Sequence, residues 1–292
     1  MDEFEIAGGS VIGREHHRMH GNCQDAYYLE QLDTCFVAVV CDGCSSSPYS
    51  EVGARLAARF LACRIASLAS SSPEITPVES FLEEARLNLL DFLHATALTL
   101  GAAVEQVVHD YFLFTVVGVL TTQSEALFFS MGDGIFAVNG NVMQIGPFPD
   151  NAPPYVGYGL LGEHFSGRQL SFVIHCRMPT AHLDSFAIGT DGAVDLIAAE
   201  GQTVPGSDKQ VPPLREFWRE DIYFTNPAAL TNRLCLINTD VITIDWQAHR
   251  RVTQCGRLRD DTTLFVGRRV ESIDVSDCEM AVSLHDAQPL EA

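Results

Sequence analysis

The sequence predicts an α+β domain, and three observations carry that prediction. An unbroken apolar run, TCFVAVVC at residues 34–41, has the β-branched and aromatic content of a strand buried on both faces. Two long stretches with helical spacing of apolar residues follow it. Beyond residue 111 the period shortens to that of strands joined by tight turns, which is the signature of an antiparallel meander.

In chain order, the strand at 34–41 stops at Asp42-Gly43. From Ser50 the pattern becomes helical: Ser50 stands at the N-cap, Glu51 in the first turn, and Val52, Leu56, Phe60 and Cys63 recur as an apolar face beside exposed Arg55 and Arg59. A Ser/Pro-rich loop at 70–77 precedes a second amphipathic helix over 78–100, with Phe81, Ala85, Leu89 and Leu93 on its inner face. The segments FLFTVVGVL, ALFFSMGDG and IFAV then read as strands, and Asn139-Gly140 forms a hairpin turn before VMQI. Residues 146–167 are rich in Gly and Pro and lack a period, so they are expected to form a flap or recognition surface. Strands return at 169–176 and 185–190, the second ending at Asp191-Gly192 before a short helix from Ala193. Helical stretches are expected at 214–219 and 226–247, and a last strand at 262–268 follows Asp260-Asp261. One domain over 1–270 and an acidic tail over 271–292 are the expected organisation, with no repeat or heptad.

Composition narrows the function classes. Of 292 residues, 47% are hydrophobic and 19% charged, which suits a globular core rather than a disordered chain. Asp and Glu number 38 against 18 Lys and Arg, giving a net charge of -20 that repels the backbone of a nucleic acid. The acidic start MDEFEIAGGS lacks the basic-then-apolar pattern of a signal peptide, and no segment approaches the length of a membrane span, so a cytoplasmic protein with no membrane partner is expected. Nine scattered cysteines, an odd number, suit reduced thiols. The single C-x-x-C, Cys41 to Cys44, has no second pair to complete a zinc site.

The chemistry resides in carboxylates at strand ends. Apolar strands stop at an Asp, often followed by Gly, in VVCDG (Asp42), FSMGDG (Asp133) and AIGTDG (Asp191), while RLRDDT places Asp260 just before a strand and CQDA adds Asp25. Each Asp-Gly alone reads as a turn. Together they imply more, because two like charges 4 Å apart repel by roughly 4 kcal/mol at an effective dielectric of 20 and require a cation between them. Oxygen donors without nitrogen or sulfur select Mg²⁺ or Mn²⁺.

The ordered set C-Q-D-A, strand-D-G with S-x-x-G-A-R-x-A on the next helix, G-D-G, strand-T-D-G and D-D-T-T resembles the metal-dependent type 2C protein Ser/Thr phosphatases, in a bacterial branch with Cys-Gln-Asp. The resemblance runs from Asp25 to Val266. It implies a four-layer αββα sandwich, two central antiparallel sheets flanked by helices, with two Mn²⁺ or Mg²⁺ ions at one end. It further implies that Asp42 bridges the ions and that the Gly43 carbonyl holds one of them. Asp191 and Asp260 hold the other, Asp25 acts through water, and Asp133 contributes to a third, weaker site. The implied reaction is attack of a metal-bridging water on a phosphoprotein. Thr115 reads as a buried strand threonine bonded to backbone, with a hydroxyl behind the ligands as the alternative.

Two departures from the pattern stand out. The position five residues before Asp25, where many members carry a phosphate-gripping Arg, holds His20, with Arg18 nearby as the alternative phosphate ligand. Cys44 replaces a His that follows the Asp-Gly in some members. The expectation is therefore a phosphatase acting on a phosphorylated protein, of unknown oligomeric state. Its rivals are a non-catalytic phosphoprotein-binding regulator and a metal-dependent hydrolase of a small phosphorylated metabolite.

Overall fold

A computed structural model describes residues 3–71, 78–162 and 170–270. In chain order the elements are β1 (Phe4–Val11), α1 (Arg14–Arg18), β2 (Ala26–Gln31), β3 (Cys35–Gly43), α2 (Ser50–Ser71), α3 (Val78–Leu100) and α4 (Val104–Tyr111). The meander follows as β4 (Phe114–Thr122), β5 (Glu125–Met131), β6 (Gly134–Val138) and β7 (Asn141–Ile145). The last part holds β8 (Val173–Pro179), β9 (Ser185–Gly189), α5 (Gly192–Ala198), α6 (Ile222–Thr225), α7 (Ala229–Asn238), β10 (Val241–Asp245), β11 (Arg250–Gln254) and β12 (Thr262–Arg269).

Two five-stranded antiparallel sheets form, one in the order β1-β12-β9-β6-β7 and one in the order β2-β3-β4-β5-β8. Alternation along the strands divides the core into three apolar layers. Phe36, Val40, Val117, Phe128, Phe136, Phe186 and Phe265 fill the space between the sheets. Val37, Val39 and Cys41 point the other way, onto α2, α3 and α4. On the opposite outer face, Ile135, Ala187, Leu264 and Val266 meet α5 and α7. This is the four-layer sandwich expected from the resemblance, and each strand of the central run is buried on both faces, as the unbroken apolar segments require.

The Asn139-Gly140 hairpin is present, with both residues at positive φ (50° and 84°), as a two-residue turn of this type demands. Several elements differ from the sequence reading. The helix expected over 226–247 ends at Asn238, and the remainder forms the β10–β11 hairpin, because VITID carries the alternating β-branched pattern of a strand. Residues 214–218 form a 3₁₀ turn. The strand at 34–41 extends through Asp42 to Gly43. β1 and β2 had no clear signal: FEIAGGSV carries two adjacent glycines, and both strands lie at sheet edges where burial is partial.

The inner face of α2 also differs from the expected one. Val52 is exposed and Leu56, Phe60 and Cys63 are half-buried, whereas Ala54, Ala57, Ala58, Leu61, Ala62, Ile65 and Ala66 face the sheet. Small residues let the helix settle closely on β3, and the bulkier set turns aside. α3 keeps its expected face through Ala85, Leu89 and Leu93, joined by Leu82, while Phe81 is half-buried. Ser50 heads α2 but donates its hydroxyl to the Cys44 carbonyl at 3.0 Å. The flap is anchored by buried Val156, which packs into the layer under α3. Its residues 163–167, most of the loop at 70–77, the start of the strand expected at 169–176 and the tail at 271–292 lie outside the described residues. Among the described residues no single helix is long and apolar enough to cross a membrane.

Candidate metal centre

Antiparallel register gathers the strand-end carboxylates. Ala26 pairs with Cys41, so Asp25, which precedes β2, sits beside the end of β3 that carries Asp42. Asp42 pairs with Thr115, and Val116 pairs with Met131, which brings the β5–β6 turn and Asp133 to the same end. In the other sheet Gly189 pairs with Leu264, placing Asp191 next to Asp260. Five segments far apart in sequence thus end at one edge of the sandwich.

Two glycines make the Asp133 turn possible. Gly132 has φ 95° and a Cβ there would meet the Thr115 side chain at 2.5 Å. Gly134 has φ 146° and a Cβ there would lie 2.6 Å from the Gly189 carbonyl. Gly192 serves close approach instead: a Cβ would collide with the Asp261 carbonyl, so the chain after Asp191 can lie directly on the loop that carries Asp260.

Asp42, Asp133, Asp191 and Asp260, with the Gly43 backbone, wall a recess of about 50 Å³ closed by Thr115, Ser45 and, from the flap, Pro153 and Tyr155. A second recess of about 280 Å³ shares Asp133, Asp191 and Asp260 and extends along Glu15, Gln144, Asp195 and Arg259. Burial, and then the charges of Asp25 and Asp191, hold the Asp42 carboxyl well above the usual carboxylate range. Burial and the charges of Asp260 and Asp133 push Asp191 up to about 7, against the pull of hydrogen bonds to Asp42 and Gly192. Asp133 and Asp260 are also raised, chiefly by burial. Asp25 is raised well above its ordinary value by burial and by Asp261. Its Oδ2 accepts the Thr190 hydroxyl at 2.7 Å, and its Oδ1 is buried without a partner.

These observations fit divalent cations. A buried carboxylate oxygen without a hydrogen-bond partner, four further carboxylates raised by burial, with the charge of neighbouring aspartates adding at Asp42 and Asp191, and a recess with no Lys or Arg among its described walls together form an uncompensated negative oxygen cage. Oxygen donors of this kind take Mn²⁺ or Mg²⁺.

Around the cage lies a support that the sequence did not single out. Asp261 is 2% exposed and accepts the Gly13 N–H at 2.6 Å and the Gln24 N–H at 2.5 Å, while His16 Nδ1 approaches its Oδ2 at 2.9 Å. His16, Asp260 and Asp261 have ligand-type atoms within 4.8 Å of one another, yet both Asp261 oxygens are already occupied by backbone donors. Asp261 therefore ties the segment bearing Asp25 to the segment bearing Asp260. Thr190 continues this support, accepting the Thr263 N–H at 3.0 Å.

The remaining sequence candidates fall elsewhere. Arg18 points to Asp240 and the Cys255 thiol, each at 3.3 Å, and lines a separate recess. His20 is exposed, at φ 56°, and lines neither acidic recess. Arg259 is the one Lys or Arg on the walls of those two recesses among the described residues, held by Glu15 at 3.1 and 3.2 Å. Thr115 is a buried residue of β4, as expected, and it also borders the cage. Cys41 is buried in the layer under α2 while Cys44 stands at the recess beside Ser46, so the C-x-x-C makes no paired thiol site.

Comparison with known proteins places this geometry. Residues 12–227 match the family model described as protein phosphatase 2C. A bacterial serine phosphatase carrying a single arginine substitution superposes with a TM-score of 0.54 at 14% identity, covering 91% of this chain and 99% of that one. The serine/threonine phosphatase Stp1 from Staphylococcus aureus superposes with a TM-score of 0.51 at 14% identity, covering 92% and 96%. No curated protein matches significantly. With three quarters of its length matched by the family model and the expected sandwich in place, the chain belongs to the protein phosphatase 2C family of metal-dependent protein serine/threonine phosphatases.

Proposed function

We propose that the chain removes phosphate from Ser or Thr of a phosphoprotein at the carboxylate cage, and that Asp42, the Gly43 carbonyl, Asp191, Asp260 and Asp25 hold two Mn²⁺ or Mg²⁺ ions there. In the same reading Asp133 would serve a third, weaker site. The observation that carries this reading is the convergence of four aspartates on one recess, with buried Asp25 close enough for its charge to raise Asp42 and with one of its oxygens left unpaired. When bound, such ions supply water of lowered pKa and positive charge beside the phosphoryl oxygens.

The chain's own groups have distinct tasks in this reading. Thr190 fixes one oxygen of Asp25 and leaves Oδ1 without a hydrogen-bond partner, so that it could accept from a metal-bound water. Asp261 keeps Asp25 and Asp260 in register through the backbone of Gly13 and Gln24. Tyr155, whose phenol is pushed well up by burial and by its hydrogen bond to Cys44, stays protonated on the flap side of the recess. Arg259 supplies the cation for the substrate phosphate that Arg18 and His20 are too far aside to give, since the Arg fork can leave Glu15 for a dianion.

The test is hydrolysis of p-nitrophenyl phosphate and of a phosphothreonine peptide with Mn²⁺, with Mg²⁺ and with chelator. Turnover of both substrates that chelator abolishes is the expected result. Binding of the peptide without turnover would favour the regulatory rival, and turnover of the small phosphate alone would favour a metabolite hydrolase.

A further inference from the structure

A largely apolar recess lies away from the cage. A groove of about 780 Å³ runs between α2 and the edge strand β2, and it contains the residues the helix would be expected to bury: Leu56 and Phe60. Phe60 stacks on Phe92 of α3 at 4.9 Å, which gives the groove an aromatic floor. Arg55, Arg59 and Arg64 line it, three of the 18 basic residues in a chain of net charge -20. Arg59 lies over the Tyr28 ring at 5.5 Å. Arg64 is engaged by Glu84 at 2.9 Å and by Asn88, whereas Arg55 is exposed and, among the described residues, has neither an ion pair nor a side-chain hydrogen bond.

β2 pairs with β3 on one side only, and its first residue, Ala26, stands at the groove and directly follows Asp25 of the cage. A segment laid along it therefore leads toward the cage. The six residues of β2 match about 20 Å of extended partner chain. Recognition by a free strand edge, with charge and side-chain pockets beside it, is an established physical mode of peptide binding.

We propose that this groove docks an extended acidic segment of the phosphoprotein substrate, its carboxylates on Arg55 and Arg59 and an apolar side chain on the Phe60–Phe92 floor. Charge complementarity selects the occupant: a cationic patch on a strongly acidic surface attracts acidic chain and orients it before the phosphate reaches the cage. The proposal rests on the phosphatase reading for its substrate, but the binding it asserts is measurable without turnover.

The experiment uses the full chain and the double variant Arg55→Glu/Arg59→Glu. Three substrates are compared with Mn²⁺ at low and high salt: a phosphothreonine peptide with an Asp/Glu run and one Phe, the same peptide with Asn/Gln in the run, and p-nitrophenyl phosphate. The wild type should prefer the acidic peptide at low salt and lose the preference at high salt. The variant should raise KM for the acidic peptide about tenfold while kcat, the neutral peptide and p-nitrophenyl phosphate are unchanged. Equal KM values for the two peptides in the wild type, or a reversal that leaves the acidic peptide unaffected, would overturn the proposal. A change in sedimentation on reversal would assign the groove to a second copy of the chain. A preference that appears only when the chain is cut after Val270 would assign it to the acidic residues 271–292. Should no substrate turn over, anisotropy of the labelled acidic and neutral peptides still decides the groove, and the phosphatase reading fails separately.

Discussion

Asp25 and Asp261 are both buried carboxylates at the same end of the molecule, yet their surroundings give them opposite tasks. Asp261 has a backbone donor on each oxygen, so its charge is compensated within the fold. Asp25 keeps one oxygen unpaired, and Asp42 and Asp191 share the recess without any basic partner on its walls. Three variants separate these roles. Asp42→Asn and Asp191→Asn should lower kcat by about a hundredfold or more with no loss of melting temperature in chelator, because each removes a repelling charge from the cage. Asp261→Asn should instead lower the melting temperature, by about 2 kcal/mol of stability, since an amide presents its own donor to one of two N–H groups. Unchanged turnover in the first pair would locate the ions elsewhere. The Arg259 side chain is 65% exposed, borders the larger acidic recess and, among the described residues, is held by Glu15. Arg259→Ala should therefore fold normally and raise KM for p-nitrophenyl phosphate about tenfold with a smaller change in kcat. An unaltered KM would remove Arg259 from phosphate binding.

At the scale of elements, the flap and α2 show how a local pattern acquires meaning from what it packs on. Residues 146–162 lack a period, but Val156 is buried under α3 while Pro153 and Tyr155 reach the cage, so one segment is both anchored and directed at the substrate side. Shortening the flap between Gly146 and Pro153 should change the order of preference among phosphopeptides more than it changes hydrolysis of p-nitrophenyl phosphate. Equal losses on both would show that the flap supports the cage itself. In α2, apolar spacing was legible but its direction was not: two stripes one residue apart are both apolar, and the Ala-rich one wins because it lets the helix approach β3. The helix expected over 226–247 failed for a related reason, since Asn238, Thr239 and Asp240 end α7 and the β-branched residues after them pair with β11.

For the whole molecule, the cage couples metal to stability. Ions that bind only the folded chain stabilise it by about 2.7 kcal/mol for each site at a hundredfold excess over Kd, so chelator should lower the melting temperature by roughly 5 to 10 °C, and Mn²⁺ or Mg²⁺ should restore it. The pH dependence has a definite sign. Asp191 stands near 7 in the folded chain, with Asp25 and Asp42 also raised, against about 3.9 for an unfolded Asp, so the folded state holds more protons in that interval. In chelator, the stability from these groups is present below about pH 4 and is lost as pH rises through about 7. The gain from Mn²⁺ should grow over the same interval, because the ligands must lose their protons to bind. Differential scanning fluorimetry from pH 5 to 8, with and without metal, measures both trends. A melting temperature indifferent to chelator at every pH would contradict a convergent cage.

The sequence by itself determined the class of the fold and the strands that end at or near aspartate, and it singled out the five carboxylates proposed for the cage, because strand burial, Asp-Gly turns and donor chemistry are local properties of residue type and spacing. It also carried the ordered motifs through which the family is recognised. Only the tertiary structure decided that Asp261 binds Gly13 and Gln24, that Arg259 rather than Arg18 faces the acidic recesses, and that Leu56 and Phe60 line a groove instead of the core. Asp261 and Gly13 are 248 positions apart, and which backbone donor meets a carboxylate at that separation depends on the register of β1, β12 and β9, set by side chains from both sheets at once.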